Sequence, residues 1–518
     1  MSEADPSALD LLLVYPPYER LRGLPVKAVP WNLLLLATIV RDRGWRVRVY
    51  NGEYAGAGSR LRYTSADRSR SMPGYAAALA DDEHEAWHDL RAVLRELRPR
   101  VVGVSFTTPT CRAAERCAQI ARDELPDAVV VAGGPHVTLF PERVAALPAV
   151  DVAVVGEGDL TLPELLAALV GPAPGRPAAP ALSTIAGLAF RGGDGAVRRS
   201  AARAAVGDLD TLPIPDRRLL HRFADVATPT LSNLLASRGC PYDCSFCASV
   251  PLWGRRVRMR SAEHILREVE TLHREFGVGA VRFFDDTFTA LPATVRAFCR
   301  GMVARGLHRK LTWNCEMRVN HASDELLRLM HRAGCRCVSF GVESGSDRVL
   351  AAIGKGTTTA MVRAAVAAAR RQGLLVHAYF MVGLPMEDEG DLRATLAFMR
   401  ELAPDSVNLC TFCPLPGTRL YDELVAAGQL PAVVDFAMYD EVAQQSRSNY
   451  FCPAVPRERY DALVGEAMAE AERLTLALSP QKLRHKLREI LKNPGFFLRH
   501  ALRRLVERAG LRAPAAAG

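Results

Sequence analysis

Three cysteines lie close together near the middle of the chain. Cys240, Cys244 and Cys247 have the spacing C-x3-C-x2-C and follow a predicted strand. Thiolates are common ligands of iron–sulfur clusters, and three of them can hold three irons of a [4Fe–4S] cube. The fourth iron then keeps an open position for a bound molecule. A structural zinc site with a distant fourth ligand is the alternative, but no second Cys/His pair stands nearby at zinc-site spacing.

Length and composition place this cysteine cluster in a multidomain protein. The 518 residues predict two or three domains. Twelve scattered cysteines, behind a first segment that does not have a signal-peptide pattern, predict a cytoplasmic protein. The formal charge is +9, and residues 482–512 supply +8 of it through ten Lys or Arg and two Glu. Because the remainder is nearly neutral, we expect no nucleic-acid partner.

Residues 1–170 alternate apolar runs with amphipathic stretches. The strand candidates are Leu9–Tyr15, Arg46–Tyr50, Val101–Phe106, Ala128–Ala132 and Val152–Val155. This alternation predicts an α/β domain with a doubly wound parallel sheet. Ligands of such sheets bind beyond the carboxyl ends of the strands. The candidate ligand residues at these ends are Ser105, Thr107, Gly133, Gly134, His136, Gly156, Glu157 and Gly158.

A second α/β series follows a connector. Residues 171–225 contain a linker rich in Pro, Ala and Gly and a predicted hairpin, Ile185–Phe190 with Ala196–Arg199. Residues 226–430 contain six strand candidates separated by helical stretches, which predicts an incomplete (β/α)6 barrel with its site at the carboxyl ends of the strands. The strand candidates are Leu231–Ser237, Ala280–Phe284, Lys310–Cys315, Arg336–Val342, Leu375–Met381 and Ser406–Phe412. Residues 431–518 are predicted to be helical and to end in the basic tail.

The cysteine motif, with Phe246 before its third cysteine, resembles that of the radical S-adenosylmethionine (SAM) superfamily. The resemblance extends to Phe283–Phe288, Gly341–Ser346, Gly383–Pro385 and Pro416–Tyr421, each after a predicted strand. It implies that the open iron chelates SAM and that one electron from the cluster releases a 5′-deoxyadenosyl radical.

The same resemblance implies further cofactor contacts. Glu343 and Ser344 would contact the ribose or the amino group of SAM, and Phe246, Gly383 and Leu384 would border the adenine. Each of these residues also has a plain structural interpretation, as a solvated loop carboxylate or as turn chemistry. Two aspartates, Asp285 and Asp286, are left open between substrate binding and helix capping.

Other cysteines and polar residues of the barrel are interpreted more simply. Cys410 and Cys413 have C-x-x-C spacing, but we assign them to the sixth strand and its exit rather than to a second metal or redox site. Cys335 and Cys337 are predicted core residues. His377 and Tyr379 are predicted to lie in the substrate pocket.

The N-terminal domain resembles the cobalamin-binding domain of cobalamin-dependent radical SAM enzymes, through Gly133–His136 and Gly156–Asp159. Glycines allow close approach of a bulky ligand to the backbone. The Asp-x-His-x-x-Gly motif, whose histidine binds cobalt in many cobalamin proteins, is absent. The alternative is a degenerate domain that binds no cofactor.

Together the resemblances imply a radical methyltransferase of the class B type that acts on an unactivated carbon of a small or lipid-like molecule, with flavodoxin or ferredoxin as electron donor. Two alternatives are cyclisation, rearrangement or oxidation without methyl transfer, and a non-catalytic iron–sulfur or cobalamin carrier. Residues 481–512 combine apolar stripes with cationic faces, which fits a membrane surface or two helices that close the barrel.

Overall fold

Runs of Val and Leu that are buried on both faces build a seven-stranded N-terminal sheet. The computed structural model describes residues 9–24, 28–54, 64–170, 179–431, 435–440, 446–479, 482–484 and 487. The strands are β1 (Leu11–Tyr15), β2 (Val47–Asn51), β3 (Val101–Ser105), β4 (Val129–Gly133), β5 (Val152–Val154), β6 (Leu188–Arg191) and β7 (Val197–Arg199). Their spatial order is β2-β1-β3-β4-β5-β6-β7. The first five are parallel, which confirms the predicted doubly wound sheet.

Helices cover both faces of this sheet. They are α1 (Trp31–Arg41), α2 (Ser65–Ala80), α3 (Glu85–Leu97), α4 (Cys111–Glu124), α5 (Pro135–Leu139), α6 (Pro141–Ala145), α7 (Gly158–Val170) and α8 (Ala179–Ser183). Buried residues of α1 and α7 share one core with the barrel. Buried residues of α3 and α4 form a second core on the opposite face.

The predicted hairpin forms, but it is part of the first sheet. Strand β6 pairs antiparallel with β5, and β7 pairs antiparallel with β6. The sheet therefore continues past residue 170, where the sequence predicted a linker. The hairpin covers the edge of β5, which would otherwise be exposed. The domain boundaries at residues 170, 225 and 430 stay predictions.

Six parallel strands build the second sheet, in the order β15-β14-β13-β12-β11-β8. The strands of this half of the chain are β8 (Asn233–Leu234), β9 (Ser237–Arg238), β10 (Arg258–Met259), β11 (Ala280–Phe283), β12 (Thr312–Met317), β13 (Cys335–Glu343), β14 (Leu375–Val382) and β15 (Ser406–Thr411). The first predicted strand, Leu231–Ser237, is shorter than expected. After β8 the chain leaves the barrel and pairs through β9 with β10 in a two-stranded ribbon.

Helices connect the barrel strands. They are α9 (Ser249–Trp253), α10 (Ala262–Phe276), α11 (Pro292–Ala304), α12 (Leu307–Lys310), α13 (Asp324–Arg332), α14 (Asp347–Ala352), α15 (Thr359–Arg371), α16 (Glu389–Leu402), α17 (Arg419–Ala426) and α18 (Arg457–Leu476). Helix α10 is capped at both ends: Ser261 Oγ accepts from the His264 N–H at 3.1 Å, and Gly277 ends the helix at φ 66°.

The edge strand β15 is covered by side chains from two other elements. The Val407 N–H donates to Thr475 Oγ1 of α18 at 3.0 Å, and the Leu409 N–H donates to Ser65 Oγ of α2 at 3.0 Å. Because α2 belongs to the N-terminal domain, that domain helps to close the open side of the barrel.

The basic tail lies almost entirely outside the described residues. The predicted membrane contact through residues 481–512 therefore stays a prediction, as does the alternative that this segment closes the barrel. Lys482 Nζ donates to the carbonyls of Leu474 and Thr475 near the end of α18. No helix in the described part of the chain has the length and apolar character needed to cross a bilayer.

A buried carboxylate joins the N-terminal domain, the connector and the barrel. Glu268 of α10 is fully buried and lies 2.8 Å from Arg217 and 2.6 Å from Arg260. It also accepts from the Trp31 indole N–H of α1 at 2.9 Å. Burial raises the pKa of Glu268, but attraction to Arg260 and Arg217 outweighs burial and holds the pKa below its usual value.

We predict that Glu268→Ala destabilises the protein by about 3–5 kcal/mol, because two buried guanidinium groups lose their partner. The measurement is the urea midpoint of unfolding. Glu275→Ala is the control, since its partner Arg218 is half exposed and such pairs contribute about 1 kcal/mol or less. Equal midpoints for the two variants would contradict the prediction.

Candidate functional site

The carboxyl ends of the two sheets meet at the domain interface. Helix α5, which follows β4, contacts α9 of the barrel. Gly417 lies so close to both parts that an added Cβ would be 3.1 Å from Leu139 and 3.3 Å from Pro251. Ligands of both folds bind at these strand ends. The site predicted from the sequence is therefore shared between the two domains.

The cysteine loop follows the short strand β9. All three cysteines are partly exposed and free. Cys240 Sγ lies 3.6 Å from Thr287 Oγ1, and Arg318 Nη1 donates to Cys244 Sγ at 3.6 Å. Burial raises the pKa of Cys247 to about 12, so this thiol must lose its proton when it binds a metal.

The surroundings of this loop fit a cluster. Three thiolates can be distributed over three irons of a cube. Polar groups such as Thr287 and Arg318 beside the sulfurs are contacts that can tune a cluster. The residues present therefore fit a [4Fe–4S] cluster held by Cys240, Cys244 and Cys247.

Glu343 ends β13 beside this loop in a strained conformation. Its φ is 67°, and its carboxylate lies 2.7 Å from Lys355 Nζ. A Cβ on Gly341 would meet Glu343 Oε1 at 2.6 Å and Lys355 Nζ at 2.8 Å, so a larger residue there would displace this ion pair. Lys355 Nζ also lies 5.9 Å from the centre of the Phe246 ring. Positive φ at a non-glycine residue is typical of ligand sites, which supports the predicted role of Glu343.

Ser344 points away from this edge. Its hydroxyl is fully buried and lies 3.1 Å from Thr395 Oγ1 of α16. It also accepts from the Ser346 N–H at 3.1 Å. The prediction that the Ser344 side chain contacts SAM is therefore corrected. This side chain fixes the turn after β13, because the sharp backbone turn at Glu343 directs it towards α16.

A buried carboxylate supports the Gly383–Leu384 turn after β14. The N–H groups of Gly383 and Leu384 donate to Glu387 Oε2 at 2.6 and 2.8 Å. Burial raises the pKa of Glu387 to about 8. Leu384 packs in one apolar cluster with Phe246 and Leu415. The predicted adenine contacts of Leu384 and Phe246 stay predictions.

The N-terminal crevice is built on glycines at the ends of β4 and β5. Gly134 has φ 109°, and a Cβ there would lie 2.7 Å from the Phe106 carbonyl oxygen. Thr138 joins the two turns, since its hydroxyl donates to the Gly134 carbonyl at 3.2 Å and accepts from the Gly156 N–H at 3.0 Å.

The crevice is open along the neighbouring strand ends. Gly133, Ser105 and Thr107 are partly exposed beside it, and Gly156 is exposed. A row of accessible backbone at the strand ends fits a large flat cofactor such as cobalamin.

His136 is buried against Phe436 of the C-terminal region. It is fully buried, its Nδ1 lies 3.2 Å from Thr108 Oγ1, and its ring packs 4.3 Å from Phe436. Burial and Arg143 lower the pKa of His136 to about 3, so the imidazole is neutral. The prediction that His136 contacts the cofactor directly is therefore corrected. Its side chain packs behind the crevice.

The predicted cofactor contact of Glu157 is also corrected, because its carboxylate binds the barrel. Its carboxylate forms ion pairs with Arg238 at 2.9 Å and with Arg258. Its neighbour Asp159 binds Arg238 through two hydrogen bonds of 2.7 and 3.0 Å. Burial raises the pKa of Glu157, but Arg258 and Arg238 outweigh burial and hold it low. Gly158 packs on α1, since a Cβ added to it would lie 3.5 Å from Leu36.

The structure separates the two aspartates that the sequence left open. Asp285 is buried, accepts from the Ala236 N–H at 3.0 Å and from Ser237 Oγ at 2.5 Å, and holds the strand before the cysteine loop. Burial raises the pKa of Asp285 to about 6. Asp286 is exposed, and one of its oxygens accepts from Ser249 Oγ at 2.5 Å.

The remaining barrel predictions have mixed outcomes. Cys335 is buried in the core as predicted, but a bulge between β12 and β13 leaves Cys337 half-buried. Tyr379 donates to Glu316 Oε1 at 3.0 Å, and His377 Nδ1 lies 2.7 Å from Ser406 Oγ. Cys410 and Cys413 lie on β15 and just beyond it.

Sequence reasoning missed the residues that bridge distant segments. Arg318, Lys355, Arg238 and Glu387 each contact a residue of the site, but none belongs to a motif quoted for it. The sequence positions of two of them were a signal. Arg318 directly follows β12, and Arg238 lies two residues before Cys240. Their partners are far along the chain, and the sequence does not specify them.

Comparisons with known proteins agree with this architecture. The Radical SAM superfamily model matches residues 234–399, and the B12 binding domain model matches residues 24–166. A methyltransferase of Pyrococcus horikoshii named as uncharacterized is 31% identical over 83% of this chain and 92% of its own length.

Two further relatives have named activities. Cytidylyl-2-hydroxyethylphosphonate methyltransferase of Streptomyces wedmorensis is 25% identical over 78% of this chain and 79% of its own. Anaerobic magnesium-protoporphyrin IX monomethyl ester cyclase of Cereibacter sphaeroides is 32% identical over 64% of this chain and 54% of its own.

Among solved structures, the radical SAM methyltransferase TsrM of Kitasatospora setae, with cobalamin and a [4Fe–4S] cluster bound, has the same fold. It superposes with a TM-score of 0.68 at 19% identity, over 91% of this chain and 89% of that one. The fold, the cysteine loop and the similarity to the Pyrococcus protein all indicate the same family. The chain belongs to the radical SAM enzymes that carry an N-terminal B12-binding domain.

Proposed function

We propose that this enzyme methylates an unactivated carbon of a small molecule. One observation carries the proposal: the carboxyl ends of the two sheets meet, and Arg238, two residues before Cys240, binds Glu157 and Asp159 of the B12-binding domain. Methyl transfer to a substrate radical needs the two cofactors side by side. The names of the relatives from Pyrococcus and Streptomyces also favour methyl transfer.

The chain's own residues have separable roles in this scheme. When bound, the cluster with SAM supplies a 5′-deoxyadenosyl radical and cobalamin supplies the methyl group. Cys240, Cys244 and Cys247 hold the cluster. Glu343 accepts hydrogen bonds from SAM, and Lys355 fixes the Glu343 carboxylate.

Cofactor orientation falls to the remaining residues of the site. The Gly383–Leu384 turn, supported by Glu387, borders the adenine. The glycine turns joined by Thr138 hold cobalamin.

The proposal includes a reducing compartment and an external electron donor. The cysteines of the described residues are thiols and form no disulfide, which suits a cytoplasmic location. Flavodoxin or ferredoxin is the proposed donor, because the cluster must be reduced once per turnover. Membrane contact through residues 481–512 remains a hypothesis.

Cyclisation is the second candidate function, with the same cofactors but no methyl transfer. The 32% identity with the Cereibacter cyclase favours it, although the match spans only about half of that protein. A radical at a substrate carbon can close a ring instead of accepting a methyl group, and substrate geometry then decides the outcome.

We predict one [4Fe–4S] cluster per chain after anaerobic reconstitution. Replacing Cys240, Cys244 and Cys247 by Ala should abolish reductive cleavage of SAM, because no thiolate then remains to hold iron. The measurements are iron content and 5′-deoxyadenosine. The Cys410→Ala variant is the control and should keep the cluster. Production of 5′-deoxyadenosine by the triple variant would overturn the assignment.

We predict that two SAM molecules are consumed for each methylated product, one as methyl donor and one as radical source. With a deuterated methyl group on SAM, mass spectrometry should find three deuterons in the product. An unlabelled product formed together with 5′-deoxyadenosine would favour cyclisation over methyl transfer.

We predict that cobalamin binds without a protein histidine on cobalt. His136 is buried, His84 caps α3 by accepting from the Ala86 N–H, and His88 lies beside Glu83. In electron paramagnetic resonance of the cobalt(II) state, the nitrogen superhyperfine pattern should be the same in the wild type and in the His84→Gln, His88→Gln and His136→Gln variants. Splitting that disappears in one of the three His→Gln variants would identify an axial histidine and contradict the prediction.

A further inference from the structure

A cavity of about 320 Å³ lies between the N-terminal domain, the connector and the β8 edge of the barrel. Trp31 and Leu35 of α1, Leu212 of the connector, Trp253 of α9 and Phe284 after β11 line it. Its volume is near the lower end of the range for small-molecule sites, about 300–1,000 Å³. None of the crevice glycines at the ends of β4 and β5 lines it.

The walls of this cavity are mainly aromatic and apolar. The Trp31 N–H is used by Glu268, so the indole offers only its apolar ring. Phe284 is 40% exposed, although it is a large apolar side chain. The Arg282 guanidinium covers this ring at 4.4 Å from its centre, and the rest of the ring can stack on a ligand.

Both arginines of the cavity wall are ion-paired. Arg238 pairs with Asp159 and Glu157, and Arg260 pairs with Glu268, which Arg217 shares. Each of these ion pairs is largely buried. An anionic ligand would therefore find no unpaired guanidinium in this wall, and it would lose its own hydration on entry.

Unlike the ion-paired arginines, Asp286 is an exposed charged residue on the cavity wall. Only Ser249 Oγ donates to it, and in the described part of the chain Asp286 forms no ion pair. The next residue is Thr287, whose hydroxyl lies 3.6 Å from Cys240 Sγ. Ser237, Arg238 and Gly239, which lead into the cysteine loop, also line the cavity. The cavity therefore lies directly beside the cluster loop.

We propose that this cavity is the substrate site and that it binds a single-ring-sized apolar group carrying a protonated amine, which Asp286 holds. The assignment rests on the proposed function, for which it names the substrate class. The rings of Trp253 and Phe284 hold the apolar body, and the Asp286 carboxylate accepts the N–H groups of the ammonium.

The test uses three probes of nearly equal shape and different charge. Holoenzyme with cobalamin and cluster in place is titrated anaerobically by calorimetry with 2-phenylethylamine, 2-phenylethanol and phenylacetate. We expect the amine to bind about 10-fold more tightly than the alcohol, since a charge-assisted hydrogen bond to a carboxylate contributes at least that factor. Phenylacetate should bind most weakly.

Variants separate Asp286 from the cavity itself. Asp286→Asn should reduce amine binding to the level of the alcohol, whereas Ser249→Ala should keep the preference because the carboxylate remains. Leu212→Trp, at a partly exposed position, should fill the cavity and weaken all three probes. Cobalamin and iron contents that match those of the wild type show that the variants are folded.

Three results would overturn the assignment. They are equal binding of amine and acid, a preference that survives Asp286→Asn, and binding to the cobalamin-free protein that is lost when cobalamin is loaded. The last result would assign the cavity to cobalamin. Binding is measured without turnover, so an enzyme that binds the amine but transfers no methyl group contradicts the proposed function alone.

Discussion

The ion-pair cluster around Arg238 is the contact on which the rest of the site depends. Arg238 ends the strand that leads into the cysteine loop, and Asp159 and Glu157 begin the turn and helix after β5. Burial lowers the pKa of Arg238, but Asp159 and Glu157 outweigh it and raise the pKa above its usual value. A largely buried charge needs such partners. The two domains are therefore fixed where one carries the cluster and the other carries the cobalamin crevice.

A second buried cluster, around Glu268, fixes the other side of the same interface. It joins α1, the connector and α10, while α2 satisfies a free N–H group of the edge strand β15. The B12-binding domain thus contacts the barrel near both of its open edges.

Some residues of the site lie at the strand ends, and others hold these residues in place. Glu343 and the Gly383–Leu384 turn lie at the strand ends, whereas Ser344 and Glu387 act behind them. His136 supports the cobalamin crevice in the same way. Such supporting contacts hold the facing groups rigidly, and rigid placement contributes much of what a protein adds to cofactor chemistry.

The sequence alone predicted the strands of both sheets, because hydrophobic runs are local features. The cofactor classes followed from the family resemblance, and the spacing of three thiols within eight residues predicts the cluster ligands. Only the tertiary structure decided what Glu157, Ser344 and Asp286 do. Each is a polar residue beside a glycine or at a strand end, and its partner lies 35 or more residues away. Ion pairing, burial and exposure are set by that partner, so local sequence could not distinguish a cofactor contact from an interdomain contact.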